Sequence, residues 1–266
     1  MARNIDTAAS ALVVTAPNEM EVQSYELPEP RPDEILVRTE YSGVSQGTEV
    51  DAYRGERPEL TLPTVTGYQS VGVVEWAGPE ARKVEVGDRV LFSTSRLPDQ
   101  FPPTWMAGHV SRALVSTTAR PPLRVPEGVD PVGAALTAMV AVGLGGIQQI
   151  RVELGDVVLV SGQGLIGQAA AQLARRRGAL VITTELSPTR VRLSREHSAD
   201  RAVDLGVDDL DAVLAELAPH GLDVVIESTG RSDQVAPAIE RLRTGGTLLL
   251  QGYYKQHIDL DFHPTH

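Results

Sequence analysis

The chain has no cysteine, which rules out disulfide bridges and thiolate metal sites. It is also short of positive charge, with 24 lysines and arginines against 35 aspartates and glutamates and a formal net charge of −11. A nucleic-acid or anionic-membrane partner would need a basic face, so neither is expected. Met1–Ser10 holds no long apolar core, and no signal peptide is expected. Long uninterrupted apolar runs are missing too. The most apolar segment, Val132 to Ile150, is broken by Gly133, Gly143, Gly145 and Gly146 and has no flanking anchors. It reads as a buried helix and connection between domains rather than a membrane span. These absences leave a soluble, cytoplasmic protein whose partner is a small molecule.

What is present falls into two textures. From residue 11 to about 125 the chain reads as short strands divided by Gly, Pro and acidic turns: Ala11–Thr15, Met20–Tyr25, Glu34–Thr39, Ser70–Glu75 and Asp88–Phe92. Most of the 18 prolines lie here. From about 130 strands and helices alternate, which predicts a parallel sheet with crossover helices. Strands are expected near 156–161, 180–184, 201–204, 222–227 and 246–250. Helices are expected near 165–177, 188–196, 208–217 and 232–242. The domains divide as 1–130 and 131–266.

Gly162-Gln163-Gly164-Leu165-Ile166-Gly167 is the most informative stretch. An apolar run ending at Ser161 precedes it, and an alanine-rich helical segment follows and stops at Gly178. A second apolar run then ends on Glu185. This order predicts a dinucleotide-binding turn. Gly162 allows the tight turn, Gly164 lets the backbone approach the pyrophosphate, and Gly167 lets helix and strand pack closely. The helix N-terminus offers its N–H groups and positive dipole end to the phosphates.

Four further motifs carry a family resemblance. Ser42-Gly43-Val44-Ser45-Gln46-Gly47-Thr48-Glu49 is followed by Tyr53-Arg54-Gly55, and Pro63 leads to Gly67-Tyr68-Gln69-Ser70-Val71-Gly72. Val84-Glu85-Val86-Gly87-Asp88-Arg89-Val90 and the segment Met106–Val115 complete the set. Together they resemble the medium-chain dehydrogenase/reductase (zinc alcohol dehydrogenase-like) superfamily over nearly the whole chain. The resemblance implies a GroES-like β-barrel domain followed by a Rossmann domain, with the active-site cleft between them. In that family a cysteine, a histidine and a third Cys, Asp or Glu hold a catalytic zinc. The first two positions here hold Ser45 and Tyr68, and the third falls near Ala138. Serine and tyrosine hydroxyls are poor zinc ligands, so no zinc is expected. The short motifs are most similar to the bacteriochlorophyllide dehydrogenases and related actinobacterial biosynthetic dehydrogenases. Relatives usually continue past the fifth Rossmann strand with a sixth strand and a return segment. This chain is therefore expected to be a fragment or a shortened protein with an exposed sheet edge, which would invite pairing in a homodimer.

The candidate residues follow. Gly162, Gln163, Gly164, Leu165, Ile166 and Gly167 would hold the cofactor. Glu185 would accept both adenosine-ribose hydroxyls and repel a 2′-phosphate, although an acid there could equally serve the helix opened by Ser187-Pro188. NAD is therefore expected, with NADP the alternative that Arg190 keeps open. Thr229, Gly230, Gly252 and Tyr253 follow the fourth and fifth strands, where such sheets bind ligands; they could also be plain turns. Tyr68, in the vacated ligand position, is the candidate proton or hydrogen-bond donor, with Ser45 beside it and Thr48 near. It could also simply fill the space of the metal. Gln69 and Glu49 are expected only to orient neighbours, and His109 to be a strand-end histidine, with a catalytic base the alternative. His257, His263 and His266 fit no compact ligand set, and Trp105 walls a pocket or anchors a loop. The reading is a zinc-independent nicotinamide oxidoreductase acting on a secondary alcohol or ketone, in secondary metabolism. Enoyl reduction and nucleotide binding without catalysis stay open.

Overall fold

β-branched and aliphatic residues in alternation set the first half of the chain. In this computed structural model residues 5–260 are described. β1 (Ala8–Ala16) turns at Asn18, whose φ of 65° suits asparagine, into β2 (Glu19–Glu26). Then come β3 (Glu34–Ser42), α1 (Gln46–Tyr53), β4 (Thr64–Val65), β5 (Ser70–Ala77), β6 (Arg89–Phe92), β7 (Arg112–Ser116) and β8 (Leu123–Arg124). They form an antiparallel sheet ordered β7-β3-β5-β6-β8 and a smaller one ordered β2-β1-β4, joined by a bridge from Ala11 to Val110. The inward residues, among them Val13, Ile35, Val37, Val65, Val90 and Leu114, make one core. Each fully buried aliphatic side chain is worth about 1.5–3 kcal/mol. Glu34 is buried in this wall because Arg96 grips both its oxygens at 2.7 Å.

The strands read from sequence are present here. α1 is an addition that the sequence did not signal. Its buried residues are Glu49, Asp51 and Ala52, while Val50 is exposed. An apolar stripe was therefore never there to be found.

α2 (Pro131–Ala134) and α3 (Thr137–Gln149) follow, and the chain divides into two units inside α3, at Ala138/Met139. The buried helix expected here is buried on one side only. Met139, Gly143 and Ile147 are buried, but Val140, Val142 and Leu144 are exposed. Among the described residues no helix is long and apolar enough to cross a membrane.

The second unit runs β9 (Val157–Ser161), α4 (Leu165–Arg176), β10 (Leu180–Glu185), α5 (Pro188–His197), β11 (Arg201–Asp204), α6 (Leu210–Leu217) and β12 (Leu222–Glu227). A 3₁₀ turn at Ser232–Gln234, α7 (Val235–Glu240) and β13 (Leu242–Leu250) complete it. The helix expected over 232–242 is thus shorter, and the last strand begins four residues earlier than expected. Leu242 pairs with Leu222, and the ladder resumes only at Thr247 opposite Val224, around Gly245 at φ 74°. All five strands are parallel, in the order β11-β10-β9-β12-β13.

Both faces of this sheet are covered, as a parallel sheet requires. Ala170, Ala171 and Ala174 of α4 pack with Ile147 and Val152 on one face. Val213 and Leu214 of α6 and Ala238 of α7 cover the other. The α/β class read from the sequence, a β-rich unit followed by a doubly wound parallel sheet, is the one observed. Strand order reverses between β9 and β12, and the carboxyl ends of those two strands are where such sheets take ligands.

Candidate cofactor and active site

Three glycines shape the turn between β9 and α4, each differently. Gly162 sits at φ 84°, and a Cβ there would come within 2.9 Å of Thr229 Cγ2. A Cβ on Gly167 would stand 1.9 Å from Gly162 O and 2.6 Å from Ser228 Oγ, so only glycine lets α4 start this close to the turn. Gly164 is different. It is the N-cap of α4, nothing lies within 4 Å of where its Cβ would be, and no side chain caps the helix. Next to it at the start of α4, Leu165 is exposed and Ile166 half-buried. An uncapped helix start of this kind favours an anion. The Gln163 side chain, by contrast, points inward and is buried.

Glu185 is brought directly to the turn. Its Oε2 accepts the Gln163 N–H at 2.9 Å, and its Oε1 accepts those of Leu186 at 2.8 Å and Ser187 at 3.1 Å. Arg190 Nη1 lies 3.7 Å from the same Oε2. Burial pushes this carboxyl upward, but the three N–H donors and Arg190 outweigh it and hold it below the usual carboxylate range. A carboxylate has about four lone-pair positions. Three N–H groups and the Arg190 guanidinium therefore already surround the carboxylate expected to accept the ribose hydroxyls.

Thr229, Gly230, Gly252 and Tyr253 converge at the ends of β12 and β13. A Cβ on Gly252 would lie 2.4 Å from Gly230 N, and one on Gly230 would lie 2.8 Å from Tyr253 O. The organiser is Glu227, wholly buried at the end of β12, which sequence reasoning missed. It accepts the Thr229 N–H at 2.9 Å and the Gly230 N–H at 3.2 Å, and also the hydroxyls of Thr229 and Tyr254. Burial, reinforced by Glu227, raises the Tyr254 phenol well above its ordinary pKa. Tyr253 itself is exposed.

In the first unit Ser45 opens α1, buried, with its hydroxyl making no capping bond. Glu49 caps the turn instead: its Oε1 accepts the Ser45 N–H at 2.7 Å. Its other oxygen lies 2.6 Å from His109 Nε2, and His109 Nδ1 lies 2.8 Å from Ser42 Oγ. This network suits the tautomer that donates from Nε2 to Glu49 and accepts the Ser42 hydroxyl at Nδ1. The imidazole packs against Gly67, at φ 87°, where a Cβ would be 2.6 Å from its Cγ. His109 therefore joins the turn carrying Ser45 and Thr48 to the turn carrying Tyr68. The sequence offers His109 as a strand-end histidine or a catalytic base but not as this link, since nothing in the sequence couples positions so far apart. Thr48 and Tyr68 are half-buried, and the Tyr68 ring lies 5.6 Å from that of Trp105, tilted by 43°. Gln69 is 4% exposed, and neither polar atom of its amide has a hydrogen-bond partner.

The zinc positions hold the wrong chemistry. Ser45 and Tyr68 offer neutral hydroxyls, Ala138 a methyl group, and the nearby imidazole is committed to Glu49 and Ser42. Among the described residues no three His, Cys, Asp or Glu side chains gather as a metal site. These residues do not fit zinc. Of the C-terminal histidines His257 is exposed, and His263 and His266 lie outside the described residues.

Comparison with known proteins agrees with this architecture. Residues 31–105 match the family model of the alcohol dehydrogenase GroES-like domain, and residues 166–266 match that of the zinc-binding dehydrogenases. "Probable alcohol dehydrogenase adh" of Mycobacterium tuberculosis (strain ATCC 25618 / H37Rv) is 31% identical over 91% of this chain and 75% of its own length. Sorbitol dehydrogenase of Ovis aries is 28% identical over 91% and 74% respectively. Among solved structures, a Sinorhizobium meliloti 1021 protein assigned as a zinc-binding dehydrogenase and bound to NADP superposes with a TM-score of 0.83. It is 27% identical and matches 97% of this chain and 81% of that one.

Proposed function

This chain belongs to the medium-chain dehydrogenase/reductase (alcohol dehydrogenase-like) superfamily, and from that premise we propose that it is a zinc-independent, NAD-preferring oxidoreductase of a secondary alcohol and its ketone. The observation that carries the reading is the carboxylate of Glu185 held 2.9 Å from the N–H of Gln163 inside the glycine turn. A helix start that favours an anion beside a carboxylate able to accept a ribose hydroxyl supports that reading.

When bound, the nicotinamide ring supplies or takes up the hydride. The N-terminus of α4 would hold its pyrophosphate, and Glu185 would accept a ribose hydroxyl. Tyr68 donates its proton to the substrate oxygen during reduction, and solvent replaces that proton. Ser45 and Thr48, on the turn fixed by Glu49, bind the same oxygen as hydrogen-bond donors. Neutral donors of this kind stabilise a developing alkoxide where no metal does so. The sorbitol relative supports a hydroxyl-rich alcohol as substrate.

The test is spectrophotometric. Purified protein is incubated with NAD and sorbitol, and with NADH and a panel of ketones and enones, while absorbance of the reduced nicotinamide is followed. Turnover on an alcohol–ketone pair supports the proposal. Turnover on enones alone shifts it to alkene reduction, and NADH binding without any turnover sinks catalysis.

A further inference from the structure

The side chain between the first two glycines of the turn closes a buried circuit. Gln163 is 1% exposed. Its Oε1 accepts the hydroxyls of Ser194 at 3.1 Å and Ser198 at 3.5 Å, the first on α5 and the second just past its end. Its Nε2 donates to Gly162 O at 3.0 Å and Val160 O at 3.3 Å. Ser194 Oγ in turn lies 2.7 Å from Thr183 Oγ1 on β10 and 3.1 Å from Ser198 Oγ. All four side chains are buried. An apolar residue would fill the space of Gln163 without the cost of burying an amide, and buried networks of this kind specify one arrangement only when every member is satisfied.

The circuit returns through Glu185. The Gln163 N–H donates to Glu185 Oε2 at 2.9 Å. Arg190, on α5, faces the same oxygen at 3.7 Å. Gln163 thus grips, by its side chain, the helix that carries Arg190, and by its backbone the acid that Arg190 pairs with.

We propose that Gln163 is a positioning residue for cofactor selectivity: by clamping the glycine turn to α5 it holds the Glu185 carboxylate oriented for a ribose hydroxyl and keeps Arg190 on that carboxylate. The inference rests on the reading of Glu185 as the ribose acid given above. The physical basis is preorganisation, since the acid is oriented before any ligand arrives. With the clamp gone the turn and α5 relax separately, and Arg190 is released toward a 2′-phosphate.

The experiment is fluorescence titration of NADH and of NADPH into wild type, Glu185→Ala, Gln163→Leu and Ser194→Ala. The wild type is expected to favour NADH, and Glu185→Ala to lose that preference. Gln163→Leu should narrow the ratio of the two Kd values by at least about threefold. Ser194→Ala, acting from the α5 end, should shift it in the same direction by less. A merely structural role lowers both affinities together and leaves the ratio alone, and that result overturns the proposal. If Gln163→Leu does not fold, an unchanged ratio in Ser194→Ala overturns it equally. A wild type without NADH preference is a different failure: it removes the reading of Glu185, and this inference with it.

Discussion

Glu49 Oε2 and His109 Nε2 lie 2.6 Å apart, both side chains 7% exposed, and sixty positions separate them in the chain. The pair fixes the geometry of the candidate catalytic turn. Glu49 spends its second oxygen on the Ser45 N–H, and His109 carries the constraint to Gly67 and so to Tyr68. Neither residue needs to touch substrate for its loss to be felt there.

His109→Phe should therefore destabilise the first unit. It leaves a buried carboxylate oxygen without a donor, which costs about 1–3 kcal/mol. His109→Gln, whose amide can still donate to Glu49, should lose less. Urea unfolding of the two variants against wild type measures this, and equal midpoints would reduce the pair to a bystander.

Glu185→Ala should weaken NADH binding and remove the bias against NADPH. Wild-type protein that binds NADPH about tenfold more tightly than NADH, a difference of about 1.4 kcal/mol, would show that Glu185 does not select NAD.

Tyr68→Phe should lower kcat by about 10²–10⁴-fold, the usual worth of a general acid, while leaving cofactor affinity unchanged. Ser45→Ala should cost less. Unaltered turnover in Tyr68→Phe makes Tyr68 a filler against Trp105 and moves the search for the donor to Thr48 or a bound water.

Zinc should be substoichiometric in purified protein, because hydroxyls occupy the places of thiolate and imidazole. Elemental analysis giving one zinc per chain would contradict the donor chemistry argued here.

Acid should unfold the second unit partly through Asp223. Its Oδ2 accepts the Val157 N–H at 2.8 Å and its Oδ1 accepts Arg243 Nε at 2.6 Å. Burial raises this carboxyl, yet those donors and the Arg243 charge win and hold it below the usual range. A depressed folded-state value gives stability that is present above the unfolded carboxylate pKa of about 3.9 and lost as pH falls through the folded one. Asp223→Asn should lower Tm at pH 7 and flatten its fall below about pH 4. Parallel wild-type and mutant curves across that window would exclude the contribution.

Local patterns in the sequence determined much of this protein. The glycine turn, the apolar runs of β9 to β12 and Glu185 at the end of β10 were legible because each depends on neighbours in the chain. So were the short strands of the first half, set by alternation and by Gly and Pro punctuation. Tertiary structure decided the rest. α1 buries Glu49 and Asp51 where an amphipathic pattern would bury leucine, and the imidazole of His109, brought from β7's approach, joins the local Ser45 N–H in making that burial tolerable for Glu49. Glu227 looked like one more acid at a strand end until β13 returned to lay Gly252 and Tyr254 against it. Gln163 turns its side chain inward because Ser194 of α5 and Ser198 just past its end meet it there. In each case the deciding partner lies far along the chain, and a polar group's role is set by which partner folding delivers to it.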